Sequence, residues 1–176
     1  MKTKTSGFAR ALAVAVALFT AVVPARAADD ATVAKGSSIQ GNDKEFFEKA
    51  AKSGDKEIAV SQAVYARLAN AGIRSFAEKM VADHTAAGNE LKALATKKGV
   101  TLPTLDPKVA QKWSDENDDL DEKYIEEMVS DHKEAVSLFE KATSSSDPEI
   151  AAFAKETLPK LQHHLDQAEA LEKSVD

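Results

Sequence analysis

Four stretches of this 176-residue chain place apolar side chains at intervals of three and four, and almost nothing alternates with the period of two that a strand needs. The first stretch runs from about Asp43 to Ala69 through Phe46, Phe47, Ala50, Ile58, Val64, Tyr65 and Leu68. Asn42 is its expected cap, with Glu45 at the capping-box position. After a break at Ala71-Gly72, the second runs from about Ile73 to Lys97 and stops at Gly99. The third spans about Asp118 to Thr143. In "SSSDP", Asp147 is expected to cap the fourth, which starts at Pro148 and ends near Lys173.

Helices of similar length with one apolar stripe each must bury those stripes against one another, so the chain is expected to be all-α, a four-helix bundle over residues 43–174. Short connections make helices one and two antiparallel, and likewise three and four. The middle connection, "VTLPTLDPKVAQKWSDEND", is long enough to cross the bundle, which makes helices two and three parallel. That is ferritin-like connectivity. Asp106-Pro107 can open a short helix within the crossover, with Trp113 as its packing anchor.

The residues before the bundle read as an export signal. Lys2, Lys4 and Arg10 precede an apolar run from Ala11 to Val23 that is too short to span a bilayer comfortably, and Ala25-Arg26-Ala27 offers small residues at a cleavage site. A Sec-type signal peptide over residues 1–27 and a flexible lead-in over 28–42 are expected, giving a soluble periplasmic or secreted protein with no integral membrane span. Removing the signal removes four cations and no acid, leaving 19 basic against 29 acidic residues, a net charge of −10. Nucleic acid and anionic membranes are thereby poor partners, and cations good ones. Without cysteine the chain has no disulfide, thiolate ligand or thiol nucleophile.

Within the stripes, the histidines stand out. Helix two runs inward through Ile73, Phe76, Met80, His84, Ala87, Leu91 and Leu94; helix three through Leu120, Tyr124, Met128, His132, Ala135, Phe139 and Ala142. Helix four gives Ile150, Phe153, Thr157, Leu161, His164, Ala168 and Leu171, with His163 rotated away by about 100°. If helices two and three are parallel, His84 and His132 differ in level by only about 5 Å, and His164 comes within a turn or two. On helix one, Glu57 borders the inward stripe at that depth, and Gly54 could permit close helix approach. The pentapeptide "MVxDH" at 80–84 and 128–132 restates this, and no other methionine follows the initiator.

Three imidazoles buried together need shared hydrogen bonds, a proton or a cation. His84, His132, His164 and Glu57 are therefore candidate ligands, and a purely structural polar network is the alternative. Asp83 and Asp131 are either solvated residues or acceptors that fix an imidazole tautomer. Met80 and Met128 either fill space or act as soft ligands. Without metal, clustered neutral imidazoles should have depressed pKa values, unless Asp83, Asp131 or Glu57 opposes this by favouring the charged form. Pro159, inside helix four, is read as a kink that follows the bundle's curvature, the alternative being that it aims His164 at the core.

The segments "FFEKAAKSGDKEIAVSQAV", "FAEKMVADHTAAGNELKALATKKGVTLP", "YIEEMVSDHKEAVSLFEKA" and "FAKETLPKLQHHLDQAEAL" resemble, in that order, the bacterial domain of unknown function 4142 family over residues 43–172. The resemblance implies a ferritin-like bundle and carries no established activity. It matches family positions to Glu57, Asp83-His84, Asp131-His132 and His164. Di-iron chemistry is not expected, because no histidine has the glutamate three residues earlier that such sites use; Val81 and Val129 stand there for His84 and His132. Imidazoles suit zinc and copper, and a thioether would favour copper(I). The leading expectation is an exported bundle that binds copper or zinc without catalysis. The alternative is a structural or stress-response bundle with a metal-free histidine network, and a mononuclear oxidoreductase comes last.

Overall fold

The computed structural model describes residue 39 and residues 41–175, all helix, turn and loop, with no strand among them. The expected signal peptide and most of the expected lead-in lie outside the described residues. The helices are α1 (Gly41–Val64), α2 (Ala71–Lys98), α3 (Lys108–Asp115), α4 (Leu120–Ala142) and α5 (Pro148–Glu172), with a single 3₁₀ turn at Tyr65–Arg67 after α1.

Local chemistry sets these boundaries. Because α1 starts at Gly41, Asn42 lies inside it and does not cap it. Ala71-Gly72 is the first turn of α2 and not a break: Asn70, in an extended conformation, accepts from the N–H groups of Gly72 and Ile73. Gly99 ends α2 at φ 69°, where the N–H of Val100 bonds Ala95 and that of Gly99 bonds Thr96, the paired closure that glycine permits. Asp147 caps α5 through the N–H groups of Glu149 and Ile150. The short helix inside the crossover is α3, and Trp113 on it packs edge-on to Tyr124 with ring centroids 6.4 Å apart. Pro159 sits on the exposed side of a continuous α5.

The long helices form a helical bundle in which α1 packs along α2 and α4 along α5, while α1 also meets α4 and α2 meets α5. Contacts at the ends give the directions. At one end the Asp121 carboxylate, in the first turn of α4, accepts from the N–H groups of Ala69 and Asn70 at 2.9 and 2.6 Å. There too Arg67 donates to the carbonyls of Trp113, Ser114 and Glu116. At the other end Lys98 pairs with Asp147 and Glu149, and Ser145 donates to Asp43 at 2.7 Å. The starts of α2 and α4 therefore share one end and their finishes the other.

The core is divided. One apolar cluster holds Val60, Val64, Ile73, Met80, Tyr124 and Met128 among others; a second holds Phe46, Phe47, Leu91, Phe139, Ile150 and Phe153. On all four long helices the residue between the two clusters is polar: Glu57, His84, His132 and His164. A single ionisable layer crosses the bundle between two apolar halves.

Candidate metal centre

Each member of this layer is held by the helix stripe that carries it, and each is buried: Glu57 and His132 are fully enclosed, His164 is 2 % exposed and His84 7 %. The three rings form a nearly equilateral triangle, with centroids 5.4 Å apart for His84–His132 and 5.5 Å for each other pair. One nitrogen from each ring can be chosen so that all three lie within 4.8 Å of one another.

Neighbouring groups decide which nitrogens are free. His132 Nδ1 lies 2.9 Å from the carbonyl of Met128; a carbonyl only accepts, so Nδ1 carries the proton and Nε2 the lone pair. His164 Nε2 lies 2.8 Å from Asp83 Oδ2 and donates to it, leaving Nδ1. His84 Nε2 meets Glu57 Oε2 at 2.8 Å, close enough for an ion pair but off the line that a hydrogen bond needs. The second oxygen of Glu57 accepts from Ser53 at 3.2 Å. Within the layer four buried atoms have no aligned hydrogen-bond partner, Glu57 Oε2, His84 Nε2, His132 Nε2 and His164 Nδ1; outside it Asp131 Oδ2 and Gln167 Oε1 are in the same position.

The electrostatics are uneven. Burial pushes His164 down to about 4, with the charges of His84 and His132 adding to it and Asp83 opposing. Burial also lowers His132. His84 departs from the expected depressed cluster: burial pulls it down, but the Glu57 carboxylate outweighs burial and the ring is raised. Glu57 mirrors this, since burial would raise it and His84, His132 and Ser53 together bring it below its ordinary value.

The two aspartates separate. Asp83 accepts from His164 and also pairs with Lys79, one turn back on α2. Asp131 faces Lys56 of α1 at 2.8 Å instead of an imidazole, and burial pushes it up to about 6 against that partner. Met80 and Met128 are fully buried in the first apolar cluster, and Met128 meets the His132 ring through its backbone carbonyl. His163 is exposed. Gly54 is not a point of close helix approach, because a Cβ there would meet only His84 Nδ1, at 3.9 Å.

Sequence reasoning missed Ser53 and Lys79, although each stands four residues before the carboxylate it serves, a spacing that faces one helix side. It also missed the buried Ser61–Tyr124 hydrogen bond of 2.8 Å, whose partners are 63 residues apart and share no local signal.

Among solved structures the chain is similar to a DUF305 fragment from Deinococcus radiodurans, with a TM-score of 0.67 and 11 % identity over 78 % of this chain and 99 % of that one. At that identity the likeness concerns the fold alone. No curated protein matches the chain. The family described as "Domain of unknown function (DUF4142)" matches residues 27–171, a span that takes in Glu57 and all three buried histidines. By a match over that much of its length, the chain belongs to the DUF4142 family.

Proposed function

We propose that this chain is an exported, non-catalytic metal-binding protein, a ferritin-like four-helix bundle of α1, α2, α4 and α5 with the crossover between α2 and α4. In it Glu57, His84, His132 and His164 hold one copper or zinc ion. On this reading residues 1–27 direct export, and the remainder works in the periplasm or outside the cell.

The observation that carries the proposal is three buried imidazoles in one layer whose nitrogens come within 4.8 Å of one another, with the Glu57 carboxylate beside His84. A buried polar group without a partner costs about 1–3 kcal/mol, so His132 Nε2 and His164 Nδ1, with no partner at all, are a burden on a domain whose net stability is typically about 5–15 kcal/mol, while His84 Nε2 and Glu57 Oε2 face only each other. One cation shared by the three imidazoles removes that burden, and Glu57, outside their 4.8 Å group but 2.8 Å from His84, would complete its shell. The outer contacts support the same reading: a carboxylate on His164 and a carbonyl on His132 fix their tautomers, as the outer partners of metal-bound histidines do. Three nitrogens and a carboxylate oxygen suit zinc or copper.

The test is titration of metal-free protein with zinc, copper(II) and copper(I), repeated on His84→Ala, His132→Ala and His164→Ala. Each substitution should weaken binding at least about tenfold, by loss of a direct ligand. Affinity unchanged in all three variants ends the metal reading. The 2.8 Å approach of His84 to Glu57 favours a second reading, a metal-free polar network held by that pair. A wild-type protein that binds none of the three ions supports it.

A further inference from the structure

Resting on the reading of the histidine layer as a metal centre, we propose that the cavity beside it binds a small amphiphilic carboxylate. Its head group joins the ion from the His84–His164 side, and its hydrocarbon body lies along the cavity's apolar wall.

The cavity has a volume of about 450 Å³, within the range of small-molecule sites. His84 and His164 line it at the level of the polar layer, and Leu91, Phe139, Phe153 and Leu161 form an apolar wall beyond them. Both histidines are more than nine-tenths buried, and Nδ1 of His164 has no hydrogen-bond partner.

Two glycines make the space. Gly54 stands in the interior of α1 and Gly88 in the interior of α2, and both line the cavity. Glycine weakens a helix relative to alanine, so each position needs a reason. Backbone conformation supplies none, since Gly99 is the only described glycine with positive φ. Packing supplies none either: a Cβ on Gly88 would meet nothing within 4 Å, and one on Gly54 would meet only His84 Nδ1 at an ordinary contact distance. Gly54 leaves room beside the Nδ1 edge of His84 and Gly88 leaves open volume on the α2 side of the cavity, space that a guest would use.

Charge selects the head group. A divalent ion held by three neutral imidazoles and the Glu57 carboxylate carries a net charge of about +1. The charged residues lining the cavity, Asp55, Asp83, Lys92 and Lys160, cancel, and Asp83 is already engaged by Lys79 and His164. One added carboxylate neutralises the centre. The wall beyond it is mainly hydrocarbon, with Thr157 between Phe153 and Leu161, so affinity should rise by up to roughly fourfold for each methylene buried against it.

Calorimetry with zinc and sodium octanoate tests this. Zinc affinity is measured first, and octanoate is then titrated into the zinc-loaded and metal-free protein. Octanoate should saturate the zinc-loaded protein one to one and bind the metal-free protein at least about tenfold more weakly, with octanol and hexanoate weaker by a similar factor. Gly88→Leu, which fills the cavity, should weaken octanoate at least about tenfold and leave zinc affinity within about threefold. Gly54→Ala, which also strengthens α1, should weaken octanoate by shielding His84. Zinc binding without saturable octanoate binding overturns this inference and leaves the metal reading intact. Absence of zinc binding overturns both. Octanoate affinity unchanged in both glycine variants, or equal with and without zinc, also overturns it.

Discussion

Consider His164→Gln in metal-free protein. The wild-type ring is held near pKa 4 by burial, whereas in the unfolded chain it titrates near 6.5. Between those values the unfolded chain binds a proton that the folded protein refuses, so acidification through this window favours unfolding. Below about 4 both states are protonated and the loss is complete. A gap of about 2.5 pH units at 1.36 kcal/mol each sets a ceiling near ~3 kcal/mol. The ring lines the cavity, so water reaches its edge and screens it, and about 2 kcal/mol is the working figure. Glutamine can still donate to Asp83 but does not titrate. At neutral pH the wild type should be the more stable of the two, because glutamine fills the layer poorly. On going from pH 7 to pH 4 that advantage should shrink by about 2 kcal/mol; groups remote from the layer cancel in the difference, whereas His84, His132 and Asp83 enter it through their coupling to His164. Urea midpoints at several pH values measure it; with slopes of about 1–3 kcal/mol per molar, the difference in midpoint should move by roughly 1 M. A difference constant to within about 0.5 kcal/mol from pH 7 to pH 4 would refute the account of His164 as a buried neutral base.

Three further outcomes follow from the same geometry. Asp83→Asn keeps a side chain beside His164 but removes the carboxylate, so zinc affinity should fall about 10–100-fold, and unchanged affinity in a zinc titration would deny Asp83 its orienting role. Met80→Leu and Met128→Leu should each cost less than about 1.5 kcal/mol in chemical denaturation and leave zinc binding unchanged, since both side chains pack in the apolar cluster. A selective loss of copper(I) affinity in either would make the sulfur a ligand. Asn70→Ala removes the cap of α2 and should cost about 1 kcal/mol in thermal or urea unfolding, whereas no change would mean that water satisfies the first turn equally well.

Much of the site was readable because periodicity fixes direction. Spacings of three and four placed His84, His132 and His164 on inward stripes, and Glu57 completed the layer because the connections set the level of each helix. Asp147 and Gly99 were readable as helix ends because both act through their own neighbouring backbone. What could not be read depends on contacts between helices. Asp83 and Asp131 occupy equivalent places in "MVxDH", yet Lys56 of α1 takes Asp131 while His164 of α5 takes Asp83. The sign of the His84 shift turned on a 2.8 Å approach to Glu57 that no spacing specifies. Ala71-Gly72 looked like a break because Asn70, with its cap bonds to the next two residues, was not recognised as the start. The cavity has no linear signature beyond two glycines on different helices.

The polar layer also bears on how the molecule comes apart. With an apolar cluster on either side of it, α1, α2, α4 and α5 each pass through two cores with the ionisable layer between them. Such a chain is built to open in parts, with each core a unit having its own opening free energy. In the metal-free state the amides of Phe46–Ala51 and Val60–Val64 should then exchange with solvent water at separate rates. An ion held at about 100 times its dissociation constant adds roughly 2.7 kcal/mol to whatever opening breaks its site, and since all four helices supply ligands, both cores would have to open together. Amide exchange would then converge on a single rate across the layer, and the protein's cooperativity, more than its stability, would report that the ion is present.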